Sequence, residues 1–293
     1  MLHDFVNLLF DYSICIIPAF LLALLISSIL AEVLPEIVFE KLSGSNSLLV
    51  VFMSSFIGAL IPICTCGMIP LATKLQKKGA SWLIVVSFLT AGNASSLTAL
   101  ILTLVLGLKI TLARFLFAVI FGIIVAYIFV LIYKPVGNSY GKPLEHEPNN
   151  QIPLVKKIIH EFFDSLLSFG PWVLVAVFIA AAIALYLKPE DIMNFASSKN
   201  ITSSFLLAIS GFPFYFCAGS DIPISKALLE KGASLGSVLT FMTASPGVNL
   251  TSFFIYQKWL GVKTSVIYLT ISFLVCGILG LAVNMGLSLL NNQ

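Results

Sequence analysis

Charge is what this chain has least of. Sixteen basic and 13 acidic residues make 10% of 293 positions, where a soluble domain carries roughly a quarter. A water-soluble globule is excluded, because 59% of the residues are hydrophobic and they fall in long blocks, not in amphipathic stripes. No basic run exceeds the pair Lys77-Lys78, so the net charge of +3 offers no surface for a nucleic acid. Arginine occurs once, at Arg114, and the other fifteen cations are lysine; the bias reads as genome composition more than as mechanism. Cysteine is sparse too. Cys15, Cys64, Cys66, Cys217 and Cys276 lie largely in apolar segments, so no secreted disulfide framework is implied. There is no G-x-x-x-x-G-K-[ST] stretch, which excludes an ATPase engine in this polypeptide. Uphill transport would be secondary or would borrow a partner. The start, "MLHDFVNLL", has no basic n-region, so the first hydrophobic block is expected to stay as a membrane span.

What is present is apolar sequence in eight blocks, at 12–34, 47–72, 81–107, 110–133, 164–187, 202–224, 235–258 and 263–290. At about 1.5 Å per residue each can cover roughly 30 Å of hydrocarbon. The expectation is an all-α polytopic membrane protein of about eight spans. A polar linker at 134–162 separates two halves, 1–133 and 163–293.

The halves repeat each other. A shift of 153 residues lays Cys64 on Cys217, Gly58 on Gly211, Ile69-Pro70 on Ile222-Pro223, Lys78-Gly79-Ala80-Ser81 on Lys231-Gly232-Ala233-Ser234, and Thr90-Ala91 on Thr243-Ala244. Apolar helices match Leu with Ile at any offset, whereas this register matches Cys, Pro and Gly. Two homologous repeats of about four segments each are expected. In each repeat proline and glycine interrupt the same places: "IPICTCGMIP" at 61–70 against "FPFYFCAGSDIPI" at 212–224, and "TAGNASS" at 90–96 against "TASPGVN" at 243–249. Irregular backbone at membrane depth is tolerated only inside protein or along a wet cavity, and repeat-built transporters bind solute where such breaks face each other. If all four segments of a half cross, the Lys-bearing loops share a side with the linker. If the broken segments are re-entrant hairpins, the crossings per half become odd and the repeats inverted.

The thiols carry the sharpest chemistry. Thiolates are soft ligands, suited to Cu(I), Zn(II) or trivalent arsenic. In a non-helical turn Cys64 and Cys66 can aim both sulfurs at one atom, and Cys217 can add a third. Such an atom would be cargo and not a resident metal; no cofactor is expected and the chain is not expected to be an enzyme. The other reading of these residues is that Cys is a small buried hydrophobe, which suffices for Cys15 and Cys276. Asp221 is a carboxylate inside an apolar block, uphill by about 2.5 to 3.5 kcal/mol. It either N-caps the helix restarting at Ile222-Pro223 or carries a coupling proton. Asn93, Ser95, Ser96, Ser245, Pro246 and Asn249 occupy the second breaks, where they either satisfy freed backbone groups or line a solute path.

The stretches "CTCGMIP" at 64–70, "LQKKGAS" at 75–81, "CAGSDIP" at 217–223, "LLEKGAS" at 228–234 and "TASPGVN" at 243–249 resemble the ArsP/YraQ family of bacterial permeases, over nearly the whole chain. The resemblance implies an eight-span inner-membrane permease that exports trivalent organoarsenicals such as methylarsenite, with copper or zinc efflux associated with other members. Carried over by position, it points to Cys64, Cys66, Cys217, Asp221, Pro246 and Asn249. "TAGNASS" departs from the family's pattern, lacking the proline and displacing Asn93. Three functions therefore stand: export of a soft, thiophilic solute, efflux of Cu, Zn or a small anion, and a membrane thiol oxidoreductase working through Cys64, Cys66 and Cys217.

Overall fold

The computed structural model describes residues 47–63, 65–77, 79–133, 202–212, 221–230 and 232–291, with scattered positions between 18 and 29 and between 156 and 174. Every regular element among them is helical. The first half holds α1 (Leu48–Leu60), α2 (Thr65–Lys77), α3 (Trp82–Ala94), α4 (Leu97–Thr103, continued by a 3₁₀ turn Leu104–Leu106) and α5 (Leu108–Tyr133). The second holds α6 (Thr202–Gly211), α7 (Asp221–Glu230), α8 (Leu235–Gly247), α9 (Leu250–Leu260) and α10 (Val262–Asn291).

Among the described residues, Trp82–Leu106, Leu108–Tyr133 and Val262–Leu289 are long and apolar enough to cross a membrane. Leu235–Gly247 with Ser252–Leu260, bent by 55°, makes a fourth. On α5 one stripe, Leu108, Leu112, Leu116 and Ile120, is exposed while Phe117, Phe121, Val125 and Phe129 are buried. An apolar stripe at i, i+4 turned outward is what a helix presents to lipid.

The Gly-Ala-Ser triplets explain themselves locally. Gly79 (φ 92°) and Gly232 (φ 86°) adopt the left-handed conformation that ends a helix cheaply. The N–H of Gly79 reaches the Gln76 carbonyl at 3.0 Å and that of Ala80 reaches Leu75 at 3.1 Å; Gly232 with Leu229 and Ala233 with Leu228 repeat the pattern at 3.0 and 2.9 Å. Ser81 then N-caps α3, accepting from the Ile84 N–H at 3.4 Å. Ser234 opens α8 and donates to Ser237 Oγ at 2.8 Å. Both α3 and α8 run 13 residues, starting 153 positions apart.

The direction of each helix follows from its contacts. Ser54 Oγ donates to the Ile84 carbonyl at 2.9 Å, and Gly58 lies on Phe88 and near Gly92, so α1 runs alongside α3 in the same sense. α2 runs back: Met68, near its start, packs on Gly92 at the end of α3, while Gln76, near its end, accepts from Trp259 Nε1 at 3.2 Å beside Trp82. The 47–72 block is thus two helices that leave and return to one end of the bundle. Tyr133, closing α5, meets Trp82 at that same end, ring centroids 6.1 Å apart.

The second half lies the other way up. Trp259, late in α9, sits 5.7 Å from Trp82. Leu106, which with Gly107 matches the adjacent Leu260-Gly261 once the register gains one residue, packs at the opposite end against the cluster around Leu228, Phe241 and Met242, as do Leu229 and Ala233. Asn284, late in α10, accepts from the Gly236 N–H at 2.8 Å, which brings the start of α8 to that opposite end. α3 and α8 therefore start at opposite ends and approach each other at their C-termini.

Glycine makes these approaches possible. A Cβ on Gly58 would fall inside the Phe88 carbonyl oxygen, a backbone atom that cannot rotate away, whereas one on Gly286 would meet nothing. Gly58→Ala should lower stability in detergent by about 1–3 kcal/mol as α1 is pushed off α3, and Gly286→Ala should leave it unchanged or raise it by up to about 1 kcal/mol. Thermal unfolding of the two purified variants beside wild type reads the difference.

Candidate functional site

The site is where α3 and α8 stop. α3 ends at Ala94, Ser95 is extended (φ −152°, ψ 128°), and Ser96 restarts the chain as the N-cap of α4, accepting from the Ala99 N–H at 3.3 Å. α8 ends at Gly247, and Asn249 N-caps α9 through Oδ1, which accepts from the Ser252 N–H at 2.7 Å. Ser96 and Asn249 occupy the same place in the 153-residue register. Asn249 Nδ2 also donates to the carbonyls of Ser245 at 2.9 Å and Pro246 at 3.1 Å, groups left over because α8 ends at Gly247. One side chain thereby serves both ends of a break.

The two breaks touch. A Cβ on Gly247 would be in ordinary contact with Asn93 Cβ at 3.7 Å, so α8 ends beside Asn93. Asn93 Nδ2 donates to the phenol oxygen of Tyr256 on α9. Thr90, one turn earlier on α3, shares a 2.9 Å hydrogen bond with the phenol of Tyr268 on α10. The two tyrosine rings meet edge to face at 5.0 Å. Asn93, Ser95, Ser96, Ser245 and Asn249 are all buried, and the sequence-derived residues of the second breaks come together at one junction.

From that junction a column of rings runs back to the end where α3 starts: Tyr256 on Tyr268, Tyr268 on Phe129 at 5.8 Å, Phe129 on Tyr133 at 5.3 Å, Tyr133 on Trp82 and Trp82 on Trp259. Both halves contribute. Burial is complete at Tyr256, Tyr268 and Phe129 and partial at Trp82, Tyr133 and Trp259.

On the other side of the junction stands the chain's one arginine. Arg114 Nη2 lies 3.0 Å from Asp221 Oδ2, both side chains buried. Nη1 donates to Thr103 Oγ1 at 2.9 Å and Nη2 to the Met242 carbonyl at 3.3 Å. Asp221 opens α7, where a carboxylate also complements the helix dipole. A single guanidinium thus ties α4, α5, α7 and α8 together. The sequence reading of Arg114 as a compositional accident misses this role. A lone arginine inside an apolar block and a lone aspartate inside another, each costly without the other, were the signal for the pair.

Cys64 and Cys217 lie outside the described residues. Cys66 falls in the first turn of α2, two residues before Met68, which packs on Gly92 beside the break; its side chain lies outside the described set. Among the described residues no three His, Cys, Asp or Glu side chains gather as metal ligands. Cys276 is a buried free thiol whose Sγ donates to the Thr240 carbonyl at 3.5 Å, and Thr240 Oγ1 donates to the Gly236 carbonyl at 2.9 Å.

Comparison with known proteins agrees with a multi-pass membrane protein. UPF0718 protein MJ0584 of Methanocaldococcus jannaschii is 22% identical over 92% of each chain. UPF0718 protein YcgR of Bacillus subtilis is 23% identical over 88% of this chain and 89% of its own. A Streptococcus mutans protein named as a subunit of a two-component membrane permease complex is 21% identical over 80% of this chain and 79% of its own. No solved structure matches. The family described as "Predicted permease", ArsP_1, matches residues 1–285. With buried breaks, a paired intramembrane charge and that match over nearly its full length, the chain belongs to the ArsP_1 family of membrane permeases.

Proposed function

We propose that this permease is a secondary-active exporter of a soft, thiophilic solute, with trivalent organoarsenicals such as methylarsenite as the leading cargo. The observation that carries the reading is the meeting of Asn93 with Gly247 and Tyr256, because broken helices from two halves facing each other are where repeat-built transporters hold solute. Cys66 lies in the first turn of the helix whose Met68 packs beside this junction, and Cys64 matches Cys217 in the 153-residue register. A neutral arsenical can exchange a hydroxyl for a thiolate in a dry site without leaving a stranded charge.

The halves are read as inverted repeats. Recurrence of 13-residue helices at an offset of 153, the matched Gly-Ala turns and the opposed placement of Trp259 and Leu106 support this. α1 with α2 then forms a hairpin entering from one face, and α6 with α7 one entering from the other, leaving six crossings where the hydrophobic blocks suggested eight. Among the described residues Lys74, Lys77, Lys258 and Lys263 lie near helix ends on the face where α3 starts, against Lys109 on the other. That face is cytoplasmic by the positive-inside rule. The aromatic column closes the junction from the cytoplasm, and the Leu106 cluster and the Arg114–Asp221 pair close it from outside.

Asp221 is the coupling group in this reading. Protonating it releases Arg114 and loosens the outer closure, and one proton moved down 100 mV supplies about 2.3 kcal/mol, roughly a fortyfold to fiftyfold solute gradient.

Three measurements test these statements. In cells lacking other arsenical pumps, Cys64→Ser or Cys66→Ser should abolish methylarsenite resistance at unchanged protein level; full resistance in both removes the thiols. A reporter inserted within 134–162 should sit inside and one fused after Asn291 outside, whereas eight crossings place both on one side. Asp221→Asn alone leaves a buried guanidinium unmatched and should cost about 3–5 kcal/mol. Arg114→Gln with Asp221→Asn should restore folded protein that exchanges solute downhill without responding to a proton gradient; retained proton-driven uptake in the double variant removes Asp221 from coupling.

A further inference from the structure

The thiols account for binding an arsenic atom, and nothing so far accounts for its remaining ligands. At the junction Asn93 Oδ1, Ser95 Oγ, Thr243 Oγ1, Ser245 Oγ and Ser252 Oγ are buried with no hydrogen-bond partner among the described residues. Their residues are between 0% and 5% exposed. Native interiors leave few such atoms, since an unpaired buried polar group costs the full desolvation of that group. These five belong to the two touching breaks and the turn that follows the second. The backbone does not need them: Ser96 and Asn249 already supply the caps.

We propose that the junction is a hydroxyl-recognising subsite, in which Asn93, Ser95, Thr243, Ser245 and Ser252 hydrogen-bond the O–H groups of a small neutral solute. The charges next door compensate each other, Arg114 being held by Asp221, Thr103 and the Met242 carbonyl with its Nε unpartnered among the described residues, so the junction offers no net charge to an anion or a cation. Asn93 holds Tyr256 with one amide atom and turns the other to the site; a hydroxyl, both donor and acceptor, serves whichever atom faces it. Ser and Thr hydroxyls have the same double capacity. The matching ligand class is a neutral element hydroxide carrying at least two O–H groups. This deepens the exporter reading and rests on it: the sulfurs of Cys64, Cys66 and Cys217 would grip the soft atom while the breaks recognise its hydroxyls.

The test uses the full-length protein in nanodiscs, with tryptophan fluorescence reading titrations of two probes. Methylarsonous acid has two O–H groups and a thiophilic atom; boric acid has three O–H groups and no affinity for thiols. Both should bind the wild type. Asn93→Ala, and the shape-preserving Thr243→Val with Ser245→Ala, should each weaken both probes about tenfold or more, the worth of a buried hydrogen bond. Cys64→Ser should weaken only the arsenical. Absence of boric acid binding to wild type, or affinities for both probes within twofold of wild type in the polar variants, overturns the subsite. Boric acid binding that depends on Asn93 or on Thr243 and Ser245, with no binding of methylarsonous acid, upholds the subsite and overturns the arsenical cargo.

Discussion

A guanidinium placed at membrane depth must find an anion there, and among the described residues Asp221 provides it. Arg114 comes from the first half and Asp221 from the second, so the pair can form only when the halves have docked. Breaking such a pair on one side strands a charge in a low dielectric, while Arg114 cannot snorkel to water without leaving Thr103 and Met242. The register of α5 against α7 and α8 is thereby set by charge, where apolar ridges alone would permit sliding. This position in turn fixes how closely Gly247 can approach Asn93.

The second constraint is backbone. A helix that stops inside a membrane exposes carbonyls at its end and N–H groups at the restart. The chain solves both ends with short side chains at matched positions: Ser96 caps one restart and Asn249 the other, while Asn249 also serves the last carbonyls of α8. The solution is local, so each break is stable without its counterpart. Polar atoms beyond this minimum then require a different reason to be buried, and that surplus separates a solute site from a packing defect.

Much of this was legible in sequence because its causes are local or periodic. Proline, glycine and Asx residues at "TAGNASS" and "TASPGVN" located both breaks, the 153-residue register anticipated helices of equal length, and the lysine-glycine-alanine-serine runs became the turns ahead of α3 and α8. What was not legible depends on residues far apart in the chain. Tyr256 pairs with Asn93 across 163 positions and Tyr268 with Thr90 across 178, and tyrosines in apolar helices look like any other core residue. Arg114 was set aside because a single arginine carries no pattern; its partner lies in the other half. The 47–72 block is long enough to cross, and hydropathy cannot distinguish one crossing from two half-crossings that return to the same end.

The two closures of the junction differ in kind, and the difference bears on direction. On one side rings stack from Tyr256 to Trp82, and the only polar link described at the end of the column is Trp259 with Gln76. Opening that side separates aromatic surfaces, whose cost does not depend on protons. On the other side an ion pair stands beside apolar packing around Leu106, and its strength depends on whether the carboxylate is ionised. In the proposed inverted-repeat exporter two gates would be equivalent by symmetry, but Asp221 stands where the first half has Met68, so one gate is apolar and the other titratable. In that reading a proton acts on one face alone. That is the minimum asymmetry a symmetric scaffold needs for an ion gradient to drive solute in one direction, because an ion that loosened both gates equally would shift no population between them.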